Sequence, residues 1–547
     1  MGKPKKSGPV GISIRSPESN SLVSEPADVA TILNNFFTGI TSPEPTYPKP
    51  DPSKSTASTL LNFQPVSPED ITKILFQLKS DNRGGEMAIP ASVYKCLAKT
   101  IVPALTVITN SSISNHSFPD TYKKAVVTPV HKKGDKSLPT NFRPISSLPI
   151  LSKVVERIIQ MQITSFIEEN KLLSPKQFGF RRGLSTEQFL LNLTDIYYQK
   201  LDSKTPVYIA QLCLDVRKAF DTVKHRLLCT KLINNFSFSE DSVSLIKSNL
   251  SSRTQVMKLS NQFSDPNPIT TGVPQGSILG PLLFNLAVND MLSTFQSAYS
   301  YADDTVIFCT GKTQQKAMAT VTTLFSKLAN WYDANGLALN IEETQCLILS
   351  NRPIDLNLKL SLHGKTLDIL PHIKMLGIFI DSSLTYNYHI QQLTKQVSSR
   401  IYVLRKIRKY LNYEESLAIY KSLIRSRLEY CSALLGSCSL TNISKLESCQ
   451  NKAIRVICRA PAQFSITQAR TILGISSLSE RRSHYFSKII SLISKQPDTL
   501  LYQRLHHGPT HDRDLRNGCA LVLPSTVLSK FGPRSFKFRA IKLLKML

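Results

Sequence analysis

The sequence predicts an α+β fold with a helical extension, and three observations carry that prediction. Between Ser67 and Asp381, short runs rich in β-branched and aromatic residues alternate with stretches whose apolar residues recur at helical spacing. Beyond Asp381 the strand signals fade and only helical stripes remain. Hydrophobic residues make up 41% of the chain and charged residues 19%, enough apolar side chain to bury a core and too much for wholesale disorder. At roughly 100–200 residues per domain, 547 residues call for several cores or one multi-lobed fold, and exclude a small disulfide scaffold.

Residues 1–66 carry Lys3, Pro4, Lys5 and Lys6, then a Pro, Ser and Thr cluster over 41–59. They read as a flexible basic lead-in holding one short helix over 29–38. Ser67-Pro68-Glu69-Asp70 is a capped helix start, with Ile71, Ile74, Leu75 and Leu78 following at helical spacing. Residues 124–129 and 208–214 read as strands, 151–168 and 184–198 as helices, and 295–309 as a hairpin. The run 272–281 is a strand-to-helix turn whose small residues let backbone approach a ligand, with Ser277 placed to cap the next helix. Past Asp381, residues 388–411, 414–430 and 443–459 read as helices. Tyr402, Tyr410, Tyr413 and Tyr420 recur there near helical spacing and read mostly as core. No repeat of fixed period is visible, so a solenoid is not expected.

Charge narrows the partners. Lys and Arg number 67 against 39 Asp and Glu, a net +28, which favours a polyanion, nucleic acid or an anionic membrane surface. From Arg400 onward 26 basic residues stand against 8 acidic ones, so +18 of the total lies in the last quarter. No run of about 18 apolar residues occurs; the best, residues 278–291, is broken by Gly280, Pro281, Asn285, Asn289 and Asp290. The start has no charged-then-apolar leader, and Lys6 spoils a myristoylation pattern at Met1-Gly2. The reading is therefore intracellular, without membrane or signal peptide. The ten Cys form no CxxC pair, and Cys431, Cys438, Cys449 and Cys458 are too unevenly spaced for a zinc framework. Reduced, mostly buried thiols are expected.

The chemistry points to three acids. Tyr301-Ala302-Asp303-Asp304 lies between two apolar runs that look like buried strands. An isolated Asp-Asp is most often a surface turn. Here a further buried strand, 208–214, ends in Asp215. Three carboxylates at the ends of apolar strands would repel and raise one another's pKa unless cations held them ionised. A pair of Mg²⁺ ions about 4 Å apart, bound by oxygen ligands, assists in-line phosphoryl transfer. That Asp215 meets Asp303 is an expectation for the structure.

Three ordered motifs then carry a resemblance: Leu214-Asp215-Val216-Arg217-Lys218-Ala219-Phe220-Asp221, Gly272-Val273-Pro274-Gln275-Gly276-Ser277-Ile278-Leu279-Gly280-Pro281, and Tyr301-Ala302-Asp303-Asp304. They resemble the palm motifs of reverse transcriptases. Asn141-Phe142-Arg143-Pro144-Ile145-Ser146 and Gln177-Phe178-Gly179-Phe180-Arg181-Arg182-Gly183 resemble finger motifs of non-LTR (LINE-type) retrotransposon enzymes, particularly the jockey and chicken-repeat group. The likeness extends from Asn34-Asn35-Phe36-Phe37 to Leu473-Gly474-Ile475 and Arg481-Arg482, nearly the whole chain.

The resemblance implies a right-hand polymerase. Fingers are expected over 67–206, a palm with a primer-grip hairpin over 207–381, a helical thumb over 382–460 and a basic C-terminal region over 461–547. It implies RNA-directed DNA synthesis from dNTPs on an RNA template, extending a DNA primer or target. Asp215, Asp303 and Asp304 would be catalytic and, with the Val216 carbonyl, would hold two Mg²⁺ ions, Mn²⁺ being a substitute. Phe220 would act as a steric gate against the 2′-hydroxyl, Gln275 would border the nucleotide, and Arg143, with Lys132 and Lys133, would grip the triphosphate. Leu376 and Gly377, after Met375 where the family more often has Tyr, would sit in the primer grip. A ribonucleoprotein of nucleus and cytoplasm is implied.

The chain departs from the pattern in two respects. In Leu339-Asn340-Ile341-Glu342-Glu343-Thr344, Glu343 stands where the family usually has Lys, thought to serve as a general acid near the pyrophosphate. An ionised carboxylate cannot donate that proton. The lead-in leaves no room for the family's N-terminal endonuclease, so nicking is expected to be supplied elsewhere, and the end at Leu547 falls short of the family's usual continuation. The alternative reading is a catalytically impaired polymerase-fold protein from a decayed or truncated element that binds nucleic acid; a third is a basic structural RNP component with no acidic site.

Overall fold

The computed structural model describes residues 12–17, 20–39, 57–80, 84–85, 89–461, 463–506 and 523–545. Lys3 to Lys6 and most of the cluster over 41–59 lie outside the described residues. The chain forms two compact units that alternate along the sequence. One comprises Met1–Ser174, Val216–Gln296 and Leu328–Leu339, the other Pro175–Asp215, Ser297–Lys327 and Asn340–Leu547.

In the first unit a five-stranded sheet is built on Lys124–His131. That strand pairs antiparallel with Phe142–Ser147 and parallel with Arg253–Leu259, which in turn pairs with Gln262–Phe263 and Asn267–Ile269. Val29, Leu33 and Phe37 of helix Pro26–Thr38 cluster with Ala125, Val127, Phe142 and Met257. Pro at the first helical turn needs no N–H there, so this helix starts three residues before the expected 29. Helix Pro68–Gln77 carries the expected capping box between Ser67 and Asp70. The apolar block near 278–291 becomes helix Gly280–Thr294, buried on most sides. Its cap residue is Leu279, but Ser277 Oγ accepts from Gly280 N–H at 2.9 Å, and the buried Glu156 carboxylate accepts from Ile278 N–H at 2.6 Å.

In the second unit the sheet runs Gln345–Ser350, Tyr208–Leu214, Asp304–Gly311, Ala298–Tyr301, all antiparallel. Helix Thr186–Leu201, capped by Ser185, covers it, with Tyr197 edge-on to Phe308 at 5.3 Å. Helices Asn387–Ile407 and Leu440–Cys458 share the same apolar core. The expected single helix over 414–430 is interrupted: Tyr413–Ile419 is α, Tyr420–Arg425 is a π turn, and Ser426–Leu428 returns to α. The π turn buries both Tyr420 and Ile424, and Gln450 donates to the Tyr420 hydroxyl at 2.9 Å. Three of the four tyrosines read as core are not: Tyr402, Tyr410 and Tyr413 are 59%, 76% and 37% exposed, while Tyr420 is fully buried.

Among the described residues no helix is long and apolar enough to cross a membrane. The nine described cysteines are free, four buried and only Cys96 exposed. Burial pushes the Cys346 thiol up to about 12.

Candidate active site

Asp215 follows the last residue of the central strand. The register pairs Leu214 with Thr305 and Tyr301 with Asp304, so Asp215 occupies the position facing Asp304 on the adjacent strand, and Asp303 sits in the two-residue turn beside it. The ends of two apolar strands thus gather the three acids. Of the two acids at the hairpin, the register sets Asp304 rather than Asp303 across from Asp215. Cys213, two residues back, registers the charge. Its thiol is pushed up to about 12 by burial, with the Asp304 carboxylate adding to the rise.

Several side chains hold this end of the sheet. The Asn340 backbone N–H donates to Asp215 O at 2.8 Å and its side-chain amide to Asp215 Oδ2 at 3.3 Å. The turn over 340–344 that starts there carries Glu343, which is exposed. Ala302 in the acidic turn adopts φ of 59°, a left-handed conformation costing a non-glycine residue roughly 1 kcal/mol or more. Gln177 secures it, its Oε1 accepting from the N–H groups of Ala302 at 3.0 Å and Gly179 at 2.9 Å. A Cβ on Gly179 would overlap the Ala302 backbone nitrogen. The Gln177–Gly183 motif, expected among the fingers, therefore begins by packing on the acidic hairpin.

The hairpin His372–Met375 and Ile378–Asp381 turns through Leu376 and Gly377, at φ of 45° and 86°. Two positive φ values are the signature of a tight hairpin turn of type I′. Tyr430 donates its hydroxyl to Leu376 O at 2.6 Å and lies over Gly377.

The residues expected to meet a nucleotide lie in the first unit, and its fold draws three of them together. Arg143 is exposed on Phe142–Ser147, the strand whose Ser146 N–H donates to Gln275 O at 2.8 Å. Gly276, at φ of 126°, leaves no room for a Cβ against the Ser146 carbonyl. Val273 N–H donates to Phe220 O at 2.7 Å, and the half-buried Phe220 ring stacks on Phe284 at 4.6 Å. Lys132 and Lys133 stand in the loop after Lys124–His131. Asp221, which sequence reasoning left without a role, fixes the Gln275 side chain: the amide nitrogen donates to both carboxylate oxygens, at 2.9 and 3.0 Å.

Burial pushes Asp221 up to about 6, against the Gln275 hydrogen bonds and the Lys218 charge that favour ionisation. Lys218 is itself brought down to about 8 by burial. For an acid raised in the folded state, the stabilising contribution is greatest below the unfolded pKa of 3.8 and is lost as pH rises from there to about 6; at pH 8 the ionised group costs up to about 3 kcal/mol. Asp221→Asn, which keeps an acceptor for Gln275, is expected to raise unfolding free energy at pH 8 by up to that amount and by about half as much at pH 5. Urea titrations of both proteins at the two pH values measure this; equal differences at both would refute the assignment.

The donor set fits hard divalent cations in one specific sense. Among the described residues no three His, Cys, Asp or Glu side chains form a preformed metal cage. Mg²⁺ is commonly held by one or two carboxylates and completed by substrate phosphates and water, and facing strand-end carboxylates suit that mode.

Strand-end carboxylates on an antiparallel sheet, in a strongly basic chain, suit metal-assisted phosphoryl transfer on a polyanion. Residues 130–380 match the family model described as reverse transcriptase (RNA-dependent DNA polymerase). The chain is 27% identical over 481 residues to the probable RNA-directed DNA polymerase from transposon BS of Drosophila melanogaster, covering 85% of this chain and 52% of that protein. It is 26% identical over 405 residues to the probable RNA-directed DNA polymerase from the X-element transposon, covering 72% and 44%. With the RNA-directed DNA polymerase from mobile element jockey the identity is 26% over 455 residues, covering 80% and 49%; both are also from Drosophila melanogaster. Residues 130–380 are thus similar to reverse transcriptase domains, and the chain as a whole to polymerases of jockey-like non-LTR elements. It spans about half the length of the curated relatives it matches.

Proposed function

We propose that the chain is an RNA-directed DNA polymerase that extends a primer 3′-hydroxyl with dNTPs on an RNA template. The observation that supports it most is the register placing Asp215 opposite Asp304 with Asp303 in the adjoining turn. In this reading Asp215, Asp303 and Asp304, with the Val216 carbonyl, hold two Mg²⁺ ions, for which Mn²⁺ can substitute. When bound, these ions lower the pKa of the attacking hydroxyl and neutralise charge on the leaving pyrophosphate. Arg143, Lys132 and Lys133 bind triphosphate oxygens, the guanidinium by paired hydrogen bonds. Gln275, oriented by Asp221, borders the sugar, and the turn at Leu376 and Gly377 supports the primer end. The 3′-oxygen forms the new bond to the α-phosphorus as the bond to pyrophosphate breaks. The fingers, palm and thumb divide as the motifs imply, the helices from Asn387 onward forming the thumb. The protein works as a ribonucleoprotein in nucleus and cytoplasm.

Purified protein, given an RNA template, an annealed DNA primer, dNTPs and Mg²⁺, should extend the primer. RNA binding without any extension would replace this reading with that of a binding protein. Phe220→Ala should raise ribonucleotide incorporation about tenfold or more, as loss of a steric discriminator does; unchanged sugar selectivity, measured by competing rNTP with dNTP, would return Phe220 to a purely packing role. Glu343→Lys should raise turnover about tenfold, at the low end of general-acid effects, by placing a proton donor on the turn that Asn340 ties to Asp215. Single-turnover rates that stay equal would show that no acid at this position assists the leaving group.

A further inference from the structure

At the C-terminal ends of helices Asn387–Ile407 and Leu440–Cys458 the second unit forms a cleft of about 580 Å³. Six cations line it, Arg405, Arg408, Lys409, Lys452, Arg455 and Arg459, with no acidic residue among the lining. Cations at helix C-termini ordinarily serve the free carbonyls there. Two of the six do so: Arg408 donates to Ile457 O at 2.9 Å and Leu411 O at 2.8 Å, and Arg459 to Arg408 O at 3.3 Å. That role does not absorb the rest. Arg405, Lys452 and Arg455 form no ion pair among the described residues, and Arg455 Nε is buried there with no hydrogen-bond partner. Uncompensated like charge at this density is maintained at a cost in self-repulsion, and attracts a polyanion.

The aromatic residues beside the cleft narrow the ligand. Tyr402, Arg405 and Lys409 follow one another at helical spacing and share a face of the helix and its 3₁₀ extension. Tyr402 and Tyr410 are the exposed tyrosines noted above, and Lys406 and Lys409 lie over their rings at 5.5 and 4.6 Å. A basic groove flanked by exposed rings is how proteins hold single strands: cations follow the phosphates and rings stack on bases. A duplex keeps its base faces to itself and offers such rings nothing to stack on.

We propose that this cleft is a binding site for single-stranded RNA, separate from the acidic hairpin, with phosphates on Arg405, Lys452 and Arg455 and a base stacked on Tyr410. The choice of RNA rests on the polymerase reading, in which unpaired RNA flanks the copied segment; the single-strand chemistry does not. The test is fluorescence anisotropy of the full chain with labelled rU₁₂, dT₁₂ and a blunt RNA–DNA duplex at 0.1 M salt. The Arg405→Gln, Lys452→Gln, Arg455→Gln triple variant should lose at least about tenfold in rU₁₂ affinity, given its lost phosphate contacts. Tyr410→Ala, whose exposed ring adds little to stability, should lose about fivefold, as removal of one stacking platform does. Affinity for the blunt duplex should hold within about twofold. Unchanged rU₁₂ binding in both variants, an equal loss for the duplex, or a loss confined to dT₁₂ would each overturn the proposal. Because binding is read without catalysis, intact variant effects in a protein that fails to extend primers would sink the polymerase reading and leave single-strand binding standing.

Discussion

Asp303→Asn is expected to reduce primer extension by about 10⁴-fold, on the order of 5 kcal/mol of transition-state stabilisation, while RNA affinity and melting temperature stay as they are. Asn matches Asp in shape and can still occupy the turn, so only the negative charge is lost. Asp303 is exposed at the tip of a hairpin whose flanking strands are buried, so its replacement disturbs no packing. Exposed substitutions of this kind move stability by no more than about 0.5 kcal/mol. Rapid-quench extension assays on a saturating RNA–primer complex give the chemical step directly. Activity within tenfold of the parent would mean that Asp303 carries no essential cation, and that the gathering of acids at the strand ends serves some other purpose.

Gly179→Ala is expected to lower the turnover number by about 10²-fold although it lies outside the acidic turn. One added methyl overlaps the Ala302 backbone nitrogen and stands 2.8 Å from its Cα. Backbone cannot swing aside as a flexible side chain can, so the turn carrying Asp303 must move. Displacement of a reacting group by about 1 Å is enough for a hundredfold loss. Overpacking costs about 1–3 kcal/mol of stability as well. The distinguishing measurement is the metal dependence. A displaced turn should raise the Mg²⁺ concentration needed for half-maximal extension, whereas a merely destabilised protein would show a lowered melting temperature and an unchanged Mg²⁺ requirement.

Much of the scaffold was legible because its signals are local. The strand over 208–214 announced itself by an apolar run interrupted only at Gln211, and the helix after Ser67 by its capping box; both are found where expected. The three acids were legible as strand-end carboxylates, and the register sharpened their relation by setting Asp304, rather than Asp303, opposite Asp215. The supporting polar residues were not legible. Asn340, Gln177 and Asp221 all fall inside recognisable motifs, yet each acts on a residue between 54 and 125 positions away. Spacing along the chain carries no information about such contacts. The tyrosines failed for the opposite reason: helical spacing identifies a common face but does not say whether that face is covered, and Tyr402 and Tyr410 lie on one that is not.

The alternation of the two units has a consequence for how the protein is made. The central strand Tyr208–Leu214 leaves the ribosome before either of its neighbours, Asp304–Gly311 and Gln345–Ser350. The second of those follows about 130 residues later, on the order of ten seconds of synthesis at cellular rates. Until Asp304–Gly311 emerges, about 90 residues on, a nearly continuous apolar strand has both hydrogen-bonding edges open, and until Gln345–Ser350 emerges one edge stays open, the condition that favours pairing with other nascent chains. Neither unit can close before the segment over 328–339 has been translated. The order of synthesis thus leaves the central strand exposed to misassociation before its partners exist.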